Sequence, residues 1–211
     1  MSGDHSHDHS HLSEMDARVR ALESLLVEKG YIESAAVDEI IETYESRIGP
    51  QNGAYVVAKA WTEPDFAHWL KDDATAAIHS LGYTSRQGEH MLAVFNDDDT
   101  HHMVVCTLCS CYPWSVLGLP PTWYKSPPYR SRAVIDPRGV LLDFGIDIPE
   151  HVSVQVHDST AETRYLVIPQ RPSGTDNWTA EDLARLVTRN SMIGVGFAIS
   201  PETLECDAEG D

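Results

Sequence analysis

Three cysteines stand within six residues, at Cys106, Cys109 and Cys111 in the run Val104-Val105-Cys106-Thr107-Leu108-Cys109-Ser110-Cys111-Tyr112-Pro113-Trp114. Thiolate sulfur is a soft, strongly donating ligand for transition metals. A turn can aim Cys106 and Cys109 at one ion. Cys109 and Cys111 are only two apart, so joint binding pulls the backbone between them against the same ion. The peptide nitrogens of Ser110 and Cys111 are then the nearest further donors. Zinc does not take the proton of an ordinary amide, whereas Fe(III) or Co(III) can bind deprotonated amide nitrogen. Three sulfurs and two nitrogens would fill five places of an octahedron. The sixth would stay open, and an open place separates a catalytic metal site from a closed structural one.

Other uses of three thiols have their own requirements. A structural zinc site needs four protein ligands. The remaining cysteine, Cys206, is far off in an acidic tail, although His101 and His102 stand just before the motif. A redox C-x-x-C belongs on a strand-to-helix turn within a βαβ pattern, and none surrounds this one. A structural disulfide goes with secretion, and no secretory signal is seen. Two classes therefore stand side by side: an enzyme subunit with a trivalent metal, and a zinc-stabilised interaction module. Metal identity and sulfur oxidation separate them.

Cys106-Thr107-Leu108-Cys109-Ser110-Cys111 followed by Tyr112-Pro113-Trp114 resembles the metal motif of the nitrile hydratase α subunit. Leu117-Gly118-Leu119-Pro120-Pro121, Trp123-Tyr124-Lys125, Tyr129-Arg130-Ser131-Arg132 and Asp136 to Leu141 read like the same family. So do Thr160 to Tyr165, Arg171-Pro172, Leu186 to Arg189, Arg20 to Leu26 and Val57 to Trp61. The likeness runs from about residue 15 to 197.

The resemblance implies hydration of a small-molecule nitrile to its amide at a non-corrin Co(III) centre. Thr107 matches the cobalt-type motif, with iron as the alternative. Metal ligands would be Cys106, Cys109, Cys111 and the backbone of Ser110 and Cys111. Cys109 would be oxidised to the sulfinic and Cys111 to the sulfenic acid. Cys111, Gln87 and Trp114 are the implied catalytic set, with Trp114 lining the pocket. Asp158, Glu162 and Arg164 look like supporting or subunit-contact residues, or equally like surface charges of a hairpin. The implied partners are a β subunit, as αβ or α2β2, and a cobalt-insertion helper. Thiocyanate hydrolase carries a similar motif, but its metal subunit usually has Arg at the place of Trp114 and lacks Leu117 to Pro121. The chain departs from the family at Phe95, His102, His157 and Asn190.

Composition agrees. The chain has 211 residues and a net charge of -18. That length suffices for one core with extensions. That charge argues against nucleic acid, which selects basic surfaces. No apolar run reaches membrane-spanning length. The reactive thiols and the lack of a signal peptide point to the cytoplasm.

The class expected is α+β: a layered α/β/β/α catalytic domain with an N-terminal helical arm, the layering being what the resemblance implies. Residues 1–12 read as a disordered His-rich start carrying His5, His7, His9 and His11. Residues 13–49 form the arm. Its first helix starts at Ser13, carries Met15, Val19, Leu22 and Leu26 at helical spacing, and ends at Gly30. Its second starts at Ser34 and stops at Gly49-Pro50. Residues 50–199 form the metal-binding domain. Helices are expected over 53–61 and 64–81, burying Trp61, Phe66, Trp69 and Ile78. Strands follow around 91–94 and 103–105. Irregular short helices fill 113–137, and 152–156 and 165–168 read as mutually paired strands. A last helix runs from a Thr179 cap through Arg189. Residues 200–211 are an acidic, mobile tail with Cys206 a bystander.

Overall fold

The computed structural model describes residues 14–42, 49–83, 90–109 and 111–208. The His-rich start lies outside the described residues, as do Gln87 and Ser110. The chain divides into two compact units, Met1–Thr43 and Tyr44–Asp211.

The first unit holds α1 (Glu14–Glu28) and α2 (Ser34–Glu42). Gly30 ends α1 at φ +69, a conformation that costs glycine nothing. The amide of Tyr31 donates to the Leu26 carbonyl at 3.0 Å and that of Gly30 to the Val27 carbonyl at 2.9 Å, a Schellman closure. Met15, Val19 and Leu22 of the expected apolar stripe are exposed.

The second unit opens with three helices: α3 (Pro50–Thr62), α4 (Pro64–Asp72) and α5 (Ala74–Ser80). Pro50 starts α3, because a first-turn position needs no amide proton, while the stretch over which the second arm helix is expected to run on to Gly49-Pro50 lies outside the described residues. The single helix expected over 64–81 is broken. Asp73 leaves the helical region, and its carboxylate accepts the Ala76 amide at 2.9 Å, which starts α5 afresh. Phe66 and Ile78 are buried as expected, and Trp61 is partly buried. Trp69 is exposed, its ring meeting Phe66 edge-on from outside the core.

Four strands follow: β1 (His90–Phe95), β2 (Thr100–Val105), β3 (Ser153–Asp158) and β4 (Thr163–Ile168). The pairing expected between β3 and β4 is not formed. β2 pairs with β3 and β1 with β4, both in parallel. The near-continuous apolar runs Met103-Val104-Val105 and Leu166-Val167-Ile168 explain this, since parallel strands are covered on both faces. Between β2 and β3 lie α6 (Trp114–Leu117), a 3-10 turn (Thr122–Lys125), α7 (Pro127–Ile135) and α8 (Pro137–Asp143).

After β4 the expected last helix is split. Thr179 caps α9 (Ala180–Ala184), accepting the Asp182 amide at 3.2 Å. Thr188 and Ser191 then form a reciprocal capping box that opens α10 (Arg189–Ile193). The acidic tail is not all irregular: Pro201–Ala208 forms α11, and Leu204 packs against a small cluster of Ala58, Leu183 and Leu186. Cys206 lies in α11, with its side chain outside the described part. The main core joins Val56 and Val57 of α3 to Met103, Val105, Leu166 and Ile168 of the strands and Met192 of α10.

Gly194 ends α10 at φ +83. A Cβ there would meet the His102 carbonyl oxygen at 1.9 Å. The Gly194 carbonyl in turn accepts Nε2–H of buried His101 at 2.8 Å. Gly194→Ala combines the left-handed penalty of about 1–2 kcal/mol with a backbone clash. It should lower the thermal midpoint by at least about 4 °C, measured by calorimetry. An unchanged midpoint would contradict the close approach of α10 to β2.

Candidate metal centre

The cysteine loop begins where β2 ends. Val105 closes the strand, and its carbonyl accepts the Ser159 amide at 2.7 Å, extending the β2–β3 ladder past its last paired residues. Cys106 follows at once and is fully buried. Cys109 is exposed and Cys111 buried. The Sγ atoms of Cys106 and Cys109 are 3.5 Å apart, those of Cys109 and Cys111 3.2 Å. All three sulfurs lie within 4.8 Å of one another, so one ion can touch all of them.

Each part of the loop is held by a different element. The Asp158 carboxylate, at the end of β3, accepts the Thr107 amide at 2.9 Å and the Thr107 hydroxyl at 2.5 Å. Arg130 of α7 donates to the Cys109 carbonyl at 3.4 Å. The Tyr124 hydroxyl donates to the Cys111 carbonyl at 3.0 Å. Tyr129 donates to the Val104 carbonyl at 2.7 Å, just before the loop. With carbonyls engaged from outside, the thiols are left to face one another. The Cys109 amide also points inward, donating to Cys106 Sγ at 3.3 Å.

Beneath the loop lies a layer of aromatic rings. Tyr112 meets Tyr124 at 5.0 Å between centroids, and Trp123 meets Tyr129 at 4.9 Å and Phe144 at 4.7 Å, all edge-to-face. Such pairs add about 0.5–1.5 kcal/mol each beyond area burial and allow little give. Burial pushes the phenols of Tyr112, Tyr124 and Tyr129 above their ordinary range, and those of Tyr124 and Tyr129 serve as neutral donors.

Burial and then the hydrogen bond with Cys109 push the Cys111 thiol up to about 12, opposed by the charge of Arg164. Without a cation the site therefore keeps its proton, and a bound ion must displace it. Arg164 is buried, and its Nε has no partner; neither has Nε of Arg130. Two guanidinium groups thus stand at the loop with donors unspent.

The cysteines come together as the sequence implies. No fourth His, Cys, Asp or Glu joins them among the described residues. His101 turns to Gly194, and His102 Nδ1 lies 2.8 Å from His157 Nε2, so neither completes a zinc tetrahedron. Asp158 and Arg164 stand at the loop, whereas Glu162 is exposed. Trp114 opens α6 and packs against the main core. Sequence reasoning missed the roles of Tyr124, Tyr129 and Arg130. The N-cap at Ser126 before two prolines could have signalled them, because it places Tyr129 and Arg130 on the first turns of a helix starting just after the loop.

The chain as a whole is similar to known proteins. The high-molecular-weight cobalt-containing nitrile hydratase α subunit of Rhodococcus rhodochrous is 60% identical over 90% of this chain and 94% of its own length. A double mutant of the Fe-type nitrile hydratase from Comamonas testosteroni Ni1 superposes with a TM-score of 0.82 at 38% identity, covering 91% of this chain and 94% of that one. The thiocyanate hydrolase γ subunit of Thiobacillus thioparus is 40% identical over 87% of this chain and 80% of its own. The family model for the nitrile hydratase alpha chain matches residues 13–196, which take in most of both units and the cysteine loop, and so the chain belongs to the nitrile hydratase α-chain family.

Proposed function

We propose that this chain is the metal-bearing subunit of a nitrile hydratase that converts nitriles to amides at a Co(III) centre. One observation carries the reading: three sulfurs within 4.8 Å of one another, with no fourth side-chain ligand among the described residues. That set suits an ion that draws further donors from the backbone and keeps a place open. The residues fit a trivalent ion held by Cys106, Cys109, Cys111 and the amide nitrogens of Ser110 and Cys111. The 60% identical relative is cobalt-containing, and Thr107 agrees with that metal rather than iron. Its greater identity also favours an organic nitrile over thiocyanate.

Bound there, a trivalent ion would supply Lewis acidity toward a nitrile nitrogen or toward water. The chain's own residues do the rest. Tyr124 holds the Cys111 carbonyl and Arg130 the Cys109 carbonyl, which fixes the main chain at both cysteines. Oxidation of Cys109 to the sulfinic and Cys111 to the sulfenic acid would give oxyanions facing Arg130 and Arg164, whose buried Nε donors lack acceptors. Cys111 is the proposed catalytic cysteine, its oxygen acting as base or nucleophile in adding water across the C≡N bond. Gln87 and Trp114 complete the proposed catalytic set. Leu108 is 83% exposed and Val134 and Ile135 are exposed beside Arg130, which suits closure of the site by a β subunit, as αβ or α2β2. The exposed stripe of α1 suits an arm lying on that partner. A layered α/β/β/α arrangement, a cytoplasmic setting for the unpaired thiols and a cobalt-insertion helper belong to the same reading.

The α chain purified with its β partner from cobalt-supplemented cells should carry near-stoichiometric cobalt, with two added oxygens on Cys109 and one on Cys111 by peptide mass spectrometry. Zinc with unoxidised thiols would sink the proposal. Cys109→Ser should abolish nitrile hydration. Asp158→Ala removes both acceptors from Thr107, at a cost of about 1–2 kcal/mol of loop order. It should lower cobalt occupancy at least about twofold, read by metal analysis, with the fold retained by circular dichroism.

A further inference from the structure

The strands that carry the cysteine loop are joined by one side-chain pair that no part of the proposed chemistry uses. His102 of β2 and His157 of β3 meet Nδ1 to Nε2 at 2.8 Å. In the parallel register Val104 faces His157 and Val105 faces Asp158. The contact therefore runs diagonally, with His102 three positions and His157 one position before the last rung. Cys106 follows that rung on one strand, and the rung itself carries the carboxylate that holds Thr107. Both imidazoles are half-buried, and the His157 ring packs on Tyr165 of β4 at 4.9 Å.

Two imidazoles this close share one proton, one ring donating and the other accepting. A first added proton keeps the bond, because an imidazolium can donate to an imidazole. A second removes the last lone pair and puts two like charges in contact. The surroundings act on that step. Burial first, then the charges of His157 and His101, disfavour protonating His102, while Asp97 in the β1–β2 turn and the Phe95 carbonyl favour it. Burial disfavours protonating His157. The charge of Asp97 is partly committed elsewhere, since its carboxylate accepts the amides of Asp99 and Thr100. His101 is also held below its ordinary range by burial, and its Nε2–H is bound to Gly194 on the opposite face of β2.

We propose that His102 and His157 are positioning residues for the cysteine loop: their shared proton ties β2 to β3, and protonating the pair lets the strand ends part and frees Thr107 from Asp158. The proposal rests on the metal-loop reading for its consequence, but its physical content is local. The sign follows from the lowered affinity for protons in the closed state. The open state takes up protons in the ordinary imidazole range, so closure is fully present above about pH 6.5 and weakens as pH falls. The titration belongs to the pair rather than to either ring.

The test is hydrogen exchange of the αβ complex read by mass spectrometry between pH 7.5 and 5.0, corrected for the intrinsic rate at each pH. Peptides covering β2, β3 and the Thr107 amide should lose at least about tenfold protection in the wild type. Peptides of β1 and β4 should stay flat. His157→Phe keeps a ring against Tyr165 but carries no proton. It should reduce the fall to less than about threefold, and His102→Gln should do likewise, guarding against a misfolded first variant. An equal fall in both variants, or a wild-type fall shared by β1 and β4, would overturn the latch. Cobalt analysis of the same samples reports separately on the metal reading, so the two can fail independently.

Discussion

The constraint on which the rest depends is the parallel pairing of β2 with β3. Parallel neighbours cannot be joined by a tight turn; the chain must cross over. Here the crossover contains the cysteine loop, the aromatic layer, α7 and α8. It leaves β2 as Cys106 and returns as β3 to deliver Asp158 beside Thr107. The thiols thus lie just beyond the carboxyl ends of two parallel strands, where α/β folds commonly place their ligands because loops converge there on a rigid edge. An antiparallel β3–β4 hairpin would put Asp158 at a strand end with no necessary relation to the loop.

Rigidity comes from below. The thiols lie within van der Waals reach of one another, and a loop free to relax would separate them. Tyr124, Tyr129 and Arg130 prevent this by engaging main-chain carbonyls, and the first two are themselves locked edge-to-face among Trp123 and Phe144. A tyrosine can do this because its ring packs like an apolar residue while its hydroxyl reaches a buried carbonyl that water cannot. The loop is thereby preorganised by two neutral donors and one cationic one. The unpartnered Nε groups of Arg130 and Arg164 remain available for charge that develops on sulfur.

The cysteine loop itself was legible in the sequence because its information is local: three ligand atoms of one chemical type at spacings of three and two. Helix boundaries marked by Gly30 and Thr179 were legible for the same reason. Strand partnership was not. Whether Val154 and Val156 face β4 or β2 depends on residues about fifty positions away, and alternation alone cannot choose. Asp73 illustrates a different failure. The apolar spacing from Phe66 to Ile78 runs unbroken through it, and only its side-chain cap on Ala76 reveals two helices. The acidic tail reads as mobile from its charge, yet Leu204 supplies the apolar contact that seats a helix there.

The two halves of the site are finished to different degrees. On the inner side every carbonyl of Cys109 and Cys111 has a donor, and Cys106 is sealed. On the outer side Leu108 and Cys109 are exposed, and a cavity of about 410 Å³ is bordered, among the described residues, by Thr107, Pro127, Arg130, Ser131, Val134 and Ile135. A reaction that adds a single water to a weakly electrophilic carbon needs bulk water excluded, since solvent weakens every electrostatic interaction that polarises the substrate. This chain cannot exclude it alone, because the apolar residues that would do so face outward. The same residues form the surface against which a second subunit would pack. On the proposed reading, closing the pocket and assembling the enzyme are one event, and the chain's large negative charge favours a partner whose facing surface is basic.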